Sequence, residues 1–459
     1  MLTDNVLPDS SLLAYEIAQS SDEGRAVGDH ARRADGVAAL PRGVERERAA
    51  AALLDDLESL PGCPDLAARE PSDLDGIRAS RPDGGRIDLP AFAGAAAAGF
   101  PDRVHGAWLG RCCGCLLGIP IESWRRDRMV GFLKDTGNWP ISRYLSSDVG
   151  DDIRARYGVS DRGWNYGTSR VNWINNVPHM VEDDDLNYPV VALRVLESRG
   201  DAFTSADVAE AWLTDLPILH TFTAERIAYR NVANGIFPPE SARRRNPCRE
   251  WIGAQIRADV YGYANPGRPE AAAAMAFRDA EVSHVRNGIY GSLFVAAMLA
   301  AAAVTGDPAA IIRAGLSQIP ADCRYAEGIR MVMAWCREGV GWEAAIDRLH
   351  ARYDETREHH WCHAVPNGMA VCIGLLWGGR DLGATIGTAV AASFDKDCNG
   401  ATAGSVVGMA LGASRLPAAW TAPLGDTMEA GIPGLGPLSI GGLARRTAAV
   451  AGRGAGAGT

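Results

Sequence analysis

The chain has 459 residues, 47% hydrophobic and 22% charged, with a formal net charge of −10. That length is enough for a large core and one or two domains. The acidity, with no basic stripe and lysine only at Lys134 and Lys396, excludes a protein that grips a nucleic-acid backbone.

Residues 1–100 are rich in Asp, Arg, Ser and Ala and hold one clear helical stretch, Gly43 to Leu60. Pro61, Pro64, Pro71, Pro82 and Gly84-Gly85 follow, so this part reads as an N-terminal extension, partly helical and partly mobile. No basic region followed by an apolar stretch opens the chain, so no secretory signal is expected. The ten cysteines lack the dense spacing of a secreted scaffold. Reduced thiols and a cytoplasmic location are the expectation. Cys112, Cys113 and Cys115 lack the second pair or histidine that a zinc site requires.

From residue 101 to 430 the texture becomes Ala- and Gly-rich with helical periodicity. Ala206–Asp215, Pro269–Asp279, Tyr290–Ala303, Pro308–Gln318, Ala326–Gly339 and Trp342–Tyr353 all suit helices, while strand-like alternation is scarce. An all-α core follows. The longest apolar run, around Leu293 to Val304, is shorter than the roughly 20 residues a bilayer span needs, so no membrane contact is expected. From residue 431 the chain is rich in Gly, Pro and Leu and reads as a mobile tail.

Two glycine series stand out. Gly106, Gly110, Gly114 and Gly118 recur every fourth residue, as do Gly404, Gly408 and Gly412. Glycines four apart share one helix face and let two backbones approach closely. If the two helices pack antiparallel, the end of the first meets the start of the second. Glu122, just past Pro120, then lies beside Asp395 and Asp397.

Those aspartates form one of two dense acidic clusters, Asp395-Lys396-Asp397; the other is Glu182-Asp183-Asp184-Asp185. Carboxylates this crowded repel one another unless a cation intervenes, and both clusters adjoin expected helix N-termini, where the dipole favours negative charge. The chain therefore looks built to bring distant acids into one metal pocket. By the acids alone, a two-metal phosphatase also fits.

Three blocks, in order, resemble the ADP-ribosylglycohydrolase family: Gly106-Ala107-Trp108-Leu109-Gly110 through Gly118-Ile119-Pro120-Ile121-Glu122, Glu182-Asp183-Asp184-Asp185-Leu186, and Asp395 through Gly404. The resemblance spans roughly residues 102–420 and implies a compact multi-helix fold around a cleft with two Mg²⁺ ions, Mn²⁺ being an alternative. Carried over by position, the metal ligands are Asp183, Asp184, Asp395 and Asp397, with Glu182 where threonine is usual. Asp184 or Asp397 is implied to take a proton from water, and Glu122 to steer substrate or complete the metal site. Ile252-Gly253-Ala254-Gln255-Ile256-Arg257 and Ser283 to Gly288 fit substrate-lining segments. There Gly253 belongs to a degraded diphosphate loop, Arg257 meets a phosphate, His284 and Asn287 contact substrate, and Tyr290, Trp251, Tyr261 or Tyr263 stacks on a base. Lys396 and Cys398 depart from the family pattern, the first able to compete for the carboxylates or to point to solvent. His359, His360, Cys362 and His363 read as a surface-facing turn.

The implied activity is Mg²⁺-dependent hydrolysis at C1 of a ribose, in ADP-ribosylated protein side chains or related conjugates. The alternatives are an N-glycosidase of a smaller ribosylated metabolite or nucleoside, and a catalytically silent ADP-ribose-binding module.

Overall fold

A computed structural model describes residues 7–165 and 168–455. Its regular structure is almost entirely helical, in agreement with the periodicity. Helices α1 (Asp9–Asp22), α2 (Gly28–Ala38) and α3 (Val44–Glu58) precede the long α4 (Phe100–Gly118). A short antiparallel pair, β1 (Arg162–Asn165) and β2 (Thr168–Arg170), is followed by α5 (Asp184–Arg199) and α6 (Thr223–Ala233). Next come α7 (Pro269–Ala280), α8 (Arg286–Ala302), α9 (Ala364–Gly378), α10 (Leu382–Ala391) and α11 (Lys396–Leu411). A second two-stranded pair, β3 (Thr427–Met428) and β4 (Leu438–Ser439), leads into α12 (Ile440–Ala455). The remaining expected helices form at Ser205–Asp215, Pro308–Leu316, Arg324–Arg337 and Trp342–Arg352.

The central contact is α4 against α11, and it runs antiparallel. A Cβ on Gly106 would overlap the carbonyl oxygen of Gly408; on Gly110, that of Gly404; on Gly114, that of Gly400. A Cβ on Gly118 would overlap the backbone of Asp397. The two backbones therefore touch along four turns, and both helices are buried almost throughout. Among the described residues, the one segment long and apolar enough to cross a bilayer is Phe100–Ile121, which is itself buried here.

Two regions differ from expectation. The first hundred residues hold more helix than the single expected stretch, and they are docked. Leu12 and Leu13 of α1 and Leu53, Leu54 and Leu57 of α3 pack on Ile227 and Trp251. Their spacing is that of an apolar helix face. Polar ties reinforce the seam: Arg249 reaches Glu16 and Glu23, both at 2.8 Å, and Arg324 reaches Glu70 at 2.7 Å. The expected mobile tail contains α12, whose Leu443, Ala444, Thr447 and Val450 are buried. The Thr447 hydroxyl accepts a 3.1 Å bond from the Trp108 indole of α4.

Substituting alanine for Gly114 should force the two central helices apart, since the obstacle is backbone that cannot swing away. Overpacking of this kind costs about 1–3 kcal/mol or more. Gly36, on the exposed side of α2 with open space around its Cα, should accept alanine with a gain of up to about 1 kcal/mol. Urea midpoints of the two variants check the contrast.

Candidate metal-binding cleft

Three helix ends meet at one cleft of about 500 Å³. The C-terminus of α4 continues through a 3₁₀ turn, Ile119–Ile121, to Glu122. The N-terminus of α5 brings Asp183 and Asp184, and that of α11 brings Asp395 and Asp397. Carboxylate oxygens of Glu122, Asp395 and Asp397 lie within 4.8 Å of one another. Oδ1 of Asp395 and Oδ1 of Asp397 are both buried without a hydrogen-bond partner. An orphaned buried carboxylate oxygen is costly, and a pair of them is a donor set for a hard divalent cation.

The backbone before α11 is strained to present these acids. Ser393 and Phe394 sit at φ 69° and 57°, the left-handed region that neither residue type favours. Three contacts hold them there. The Ser393 hydroxyl donates to Glu355 at 2.5 Å. The Asn367 side-chain oxygen accepts from the Asp395 amide at 3.1 Å and from the Asn399 amide group at 2.8 Å. On the opposite side Asp183 caps α5, accepting from the Asp185 amide at 2.9 Å.

The Asp185 carboxylate lies within 4.8 Å of ligand atoms of Asp397 and Cys398 and is tied down by an arginine. Arg111, fully buried on α4, donates to the Asp185 carbonyl at 2.6 Å and to its carboxylate at 3.0 Å. The same guanidinium reaches Asp259 at 3.0 Å and the Ile256 carbonyl at 2.7 Å. One arginine thus ties the acidic block and the 256–259 segment to the glycine helix. Arg111 is the one charged residue between Gly106 and Gly118, a signal present in the sequence.

Lys396 does not point to solvent, and although its charge is felt by Glu122 and Asp397 it hydrogen-bonds carbonyls. Its ammonium is buried and donates to the carbonyls of Trp124 (2.5 Å), Glu122 (3.3 Å) and Phe394 (3.3 Å). It clamps the loop bearing Glu122 onto the start of α11. Burial pulls its pKa down to about 8 despite Glu355, Asp395, Glu122 and Asp397 nearby. Cys398 lines the cleft, and burial pushes its thiol well up, so it is a neutral wall there.

Several expected site residues lie elsewhere. Glu182 turns away from the acids to His220 at 2.5 Å and Asn187 at 3.1 Å, in space left by the missing side chain of Gly431. Gly253 does line the cleft. Arg257 does not: it is sealed in the core between Glu225 (2.5 Å) and Asp279 (2.6 Å) and cannot meet a phosphate. His284 is buried against the Ser283 hydroxyl at 2.8 Å. Asn287 donates to Glu70 (3.0 Å) and Glu250 (2.7 Å), and Tyr290 to the Pro71 carbonyl (2.5 Å). These two residues hold the N-terminal extension rather than a substrate. Trp251, Tyr261 and Tyr263 are core residues with bonded polar tips. The aromatic walls are instead Trp124, Phe222 and Trp361. Glu225, also lining the cleft, belongs to no sequence motif that would mark it.

His359 and His363 are buried, not surface-facing, and gather with Asp22. Their hydrogen bonds speak against a metal. Nδ1 of His359 accepts from the Trp251 indole at 3.2 Å, and Nδ1 of His363 accepts from the Val365 amide at 3.2 Å. Each neutral ring must then carry its proton on Nε2, the nitrogen a metal would need. His359 gives that proton to Asp22 at 2.9 Å.

Fold and cleft together define an all-helical protein whose cleft gathers carboxylates able to hold a metal ion. The ADP-ribosylglycohydrolase family model matches residues 96–454, and the chain belongs to that family. Its members are metal-dependent glycohydrolases acting on ADP-ribose conjugates. One solved structure, titled "ADP-ribosylglycohydrolase-related protein complex", aligns with 17% identity over 77% of this chain and 98% of its own, at a TM-score of 0.45. No curated protein matches the chain.

Burial first, then neighbouring acids, holds Glu122, Asp183 and Asp395 well above the usual carboxylate range; burial also raises Asp397. The folded state therefore retains protons that the unfolded chain releases from about pH 4 upward. Metal-free stability should fall as pH rises from there through the raised folded values. Mg²⁺ or Mn²⁺ should raise the Tm at pH 7.5, by the equivalent of about 2.7 kcal/mol at 100 times Kd, and less at pH 5, where the ligands are protonated. An Asp395→Asn/Asp397→Asn variant should lose the metal response and melt above the metal-free wild type at pH 7.5. Scanning fluorimetry with and without EDTA measures both.

Proposed function

We propose that this protein is a divalent-metal-dependent glycosidase that hydrolyses the bond at C1 of a ribose in ADP-ribosylated side chains or related conjugates. The observation that carries the reading is the convergence of Glu122, Asp183, Asp184, Asp395 and Asp397 on one cleft, with two buried carboxylate oxygens unpartnered. Asp183, Asp184, Asp395 and Asp397 would hold Mg²⁺, and Glu122 completes the set or orients the attacking water. When bound, the ions supply positive charge that anchors ribose hydroxyls and eases ionisation of a water. The chain's own part is electrostatic and positional. Developing oxocarbenium charge at C1 would face a wall of carboxylates, a complement that strengthens as the bond breaks. Trp124, Phe222 and Trp361 give flat apolar surface for a base or for the acceptor.

A second reading has its own support. Among the described residues lining the cleft there is no arginine or lysine. A diphosphate would find its positive charge only in bound ions and backbone N–H groups, and Arg257, the expected phosphate partner, is sealed away. That favours a smaller, uncharged or cationic riboside as substrate.

Purified protein with Mg²⁺ or with EDTA, offered ADP-ribosyl-arginine, ADP-ribosyl-serine and a nucleoside panel, separates the readings. Mg²⁺-dependent release of ADP-ribose supports the first, and turnover confined to small ribosides supports the second. Glu122→Gln should lower turnover by about 10²–10⁴-fold with little change in Tm; unchanged turnover would remove Glu122 from the reaction.

A further inference from the structure

We infer that Glu225 is the acid that protonates the departing atom as the C1 bond breaks, an assignment that rests on the glycosidase reading above. Glycosidases ordinarily need two carboxyls with different tasks, one for the water and one for the leaving group. The acids of the α5 and α11 ends are grouped to hold cations, and a carboxylate bound to a cation has no proton to give. Three lining carboxyls stand outside that group: Glu122, already assigned to the metal set or the water, Glu225 and Glu358. Glu358 is 44% exposed and faces Arg125 at 3.7 Å, a solvated rim pair. Glu225 is 2% exposed, in the first turn of α6.

Its surroundings look built for it. Any side chain at position 253 would overlap both Glu225 carboxyl oxygens, so Gly253 is what lets this carboxyl reach the cleft wall. Arg257 donates to Oε1 of Glu225 at 2.5 Å. The same guanidinium also serves Asp279, giving Nε to its carboxylate at 2.6 Å and Nη2 to its carbonyl at 3.1 Å. Tyr261 donates to the other Asp279 oxygen at 3.0 Å. The rings of Trp212 and Tyr188, 4.8 and 5.5 Å from the guanidinium, keep Arg257 in place. One positive charge is thus divided between two buried carboxylates, and Glu225 is positioned without being fully neutralised.

The other charged or titratable neighbours are Asp184 across the cleft, Tyr188 on α5, Cys248 and, on α6 itself, Arg226. Burial raises the proton affinity of Glu225 and Arg257 opposes it, leaving the group pushed up to about 7. An acid so poised is half protonated at neutral pH, where a proton donor is most effective.

The step balances simply. The C1–N or C1–O bond breaks and its electron pair leaves with nitrogen or oxygen, which takes the Glu225 proton. Water oxygen bonds to C1, and the proton it sheds passes to a cleft carboxylate and then to solvent, which reprotonates Glu225. The products are the ribose with a free hydroxyl at C1 and the protonated acceptor.

The test is leaving-group dependence, with 4-nitrophenyl ADP-riboside against the serine O-ADP-riboside. The nitrophenolate departs without help, whereas the serine alkoxide needs a proton. Glu225→Gln should lose about 10²–10⁴-fold in kcat/KM on the serine conjugate and less than about tenfold on the nitrophenyl one. Wild-type kcat/KM on the serine conjugate should fall as pH rises through about 7, where the acid ionises, and stay flatter on the nitrophenyl substrate. Equal losses on both substrates, or superimposable wild-type pH profiles, would overturn the assignment. The wild-type profiles decide the matter even if the variant fails to fold. A wild type that turns over neither substrate overturns the ADP-ribosyl reading on which this assignment rests, and the assignment with it.

Discussion

The backbone-to-backbone contact between α4 and α11 is the constraint on which the rest depends. Glycine costs about 1 kcal/mol relative to alanine inside a helix. Gly106, Gly110, Gly114, Gly400, Gly404 and Gly408 would weaken both helices if each stood alone. What offsets them is dispersion between two bare backbones and the polarity of carbonyl oxygens set against Cα–H groups. The contact also does something no side-chain packing could do as sharply. Because Gly118 sits directly against the backbone of Asp397, the exit of the first helix and the entry of the second are fixed within one turn of each other. Glu122 inherits its place beside Asp395 and Asp397 from that register.

Charge follows from the same geometry. Five acids gathered in one cleft would unfold their surroundings if the protein did not answer them, yet the cations close at hand are committed elsewhere. Lys396 spends its ammonium on three carbonyls, Arg111 on Asp185 and Asp259, and Arg257 on Glu225 and Asp279. Each acts as scaffolding that sets where an acid or its loop stands, and of the three Lys396 also partly offsets the charge on Glu122 and Asp397. The chain offers these acids little positive charge of its own, which suits a family of metal-dependent enzymes. The raised proton affinity of Glu122, Asp183 and Asp395 is the same fact expressed in protons.

How far this was legible in the sequence depends on the kind of signal. Periodicity located the long mid-chain helices, because an amphipathic or all-apolar helix repeats its instruction every turn. The glycine spacing disclosed even an antiparallel pairing across nearly 300 residues, since only close packing explains that repeat. Single polar residues carried no such redundancy. Arg257, His284, Asn287 and Tyr290 occupy positions that suit a substrate wall, but their partners, Glu225, Ser283, Glu70 and the Pro71 carbonyl, bury them instead. Position in a motif fixed the backbone of Glu182 but not the direction of its side chain. In α12 the abundance of glycine and alanine obscured the spacing of Leu443, Thr447 and Val450, which the core of α4 makes meaningful only in three dimensions.

The N-terminal extension shows why composition misleads about docking. Its charged residues read as solvated, yet Glu16, Glu23 and Glu70 are almost fully buried against Arg249 and Arg324. Buried ion pairs of this sort are poor sources of net stability but strict about geometry, because an unmatched partner is costly. Tyr15 packs edge-on against Trp251, whose indole bonds His359, which in turn bonds Asp22. This closed circuit fixes the short helix Glu358–Cys362, and Glu358, Trp361 and Cys362 of that helix form one wall of the cleft. A segment outside the family match thus shapes the pocket without contributing an acid to it. The glycine contact places the acids, and the extension decides how much room surrounds them.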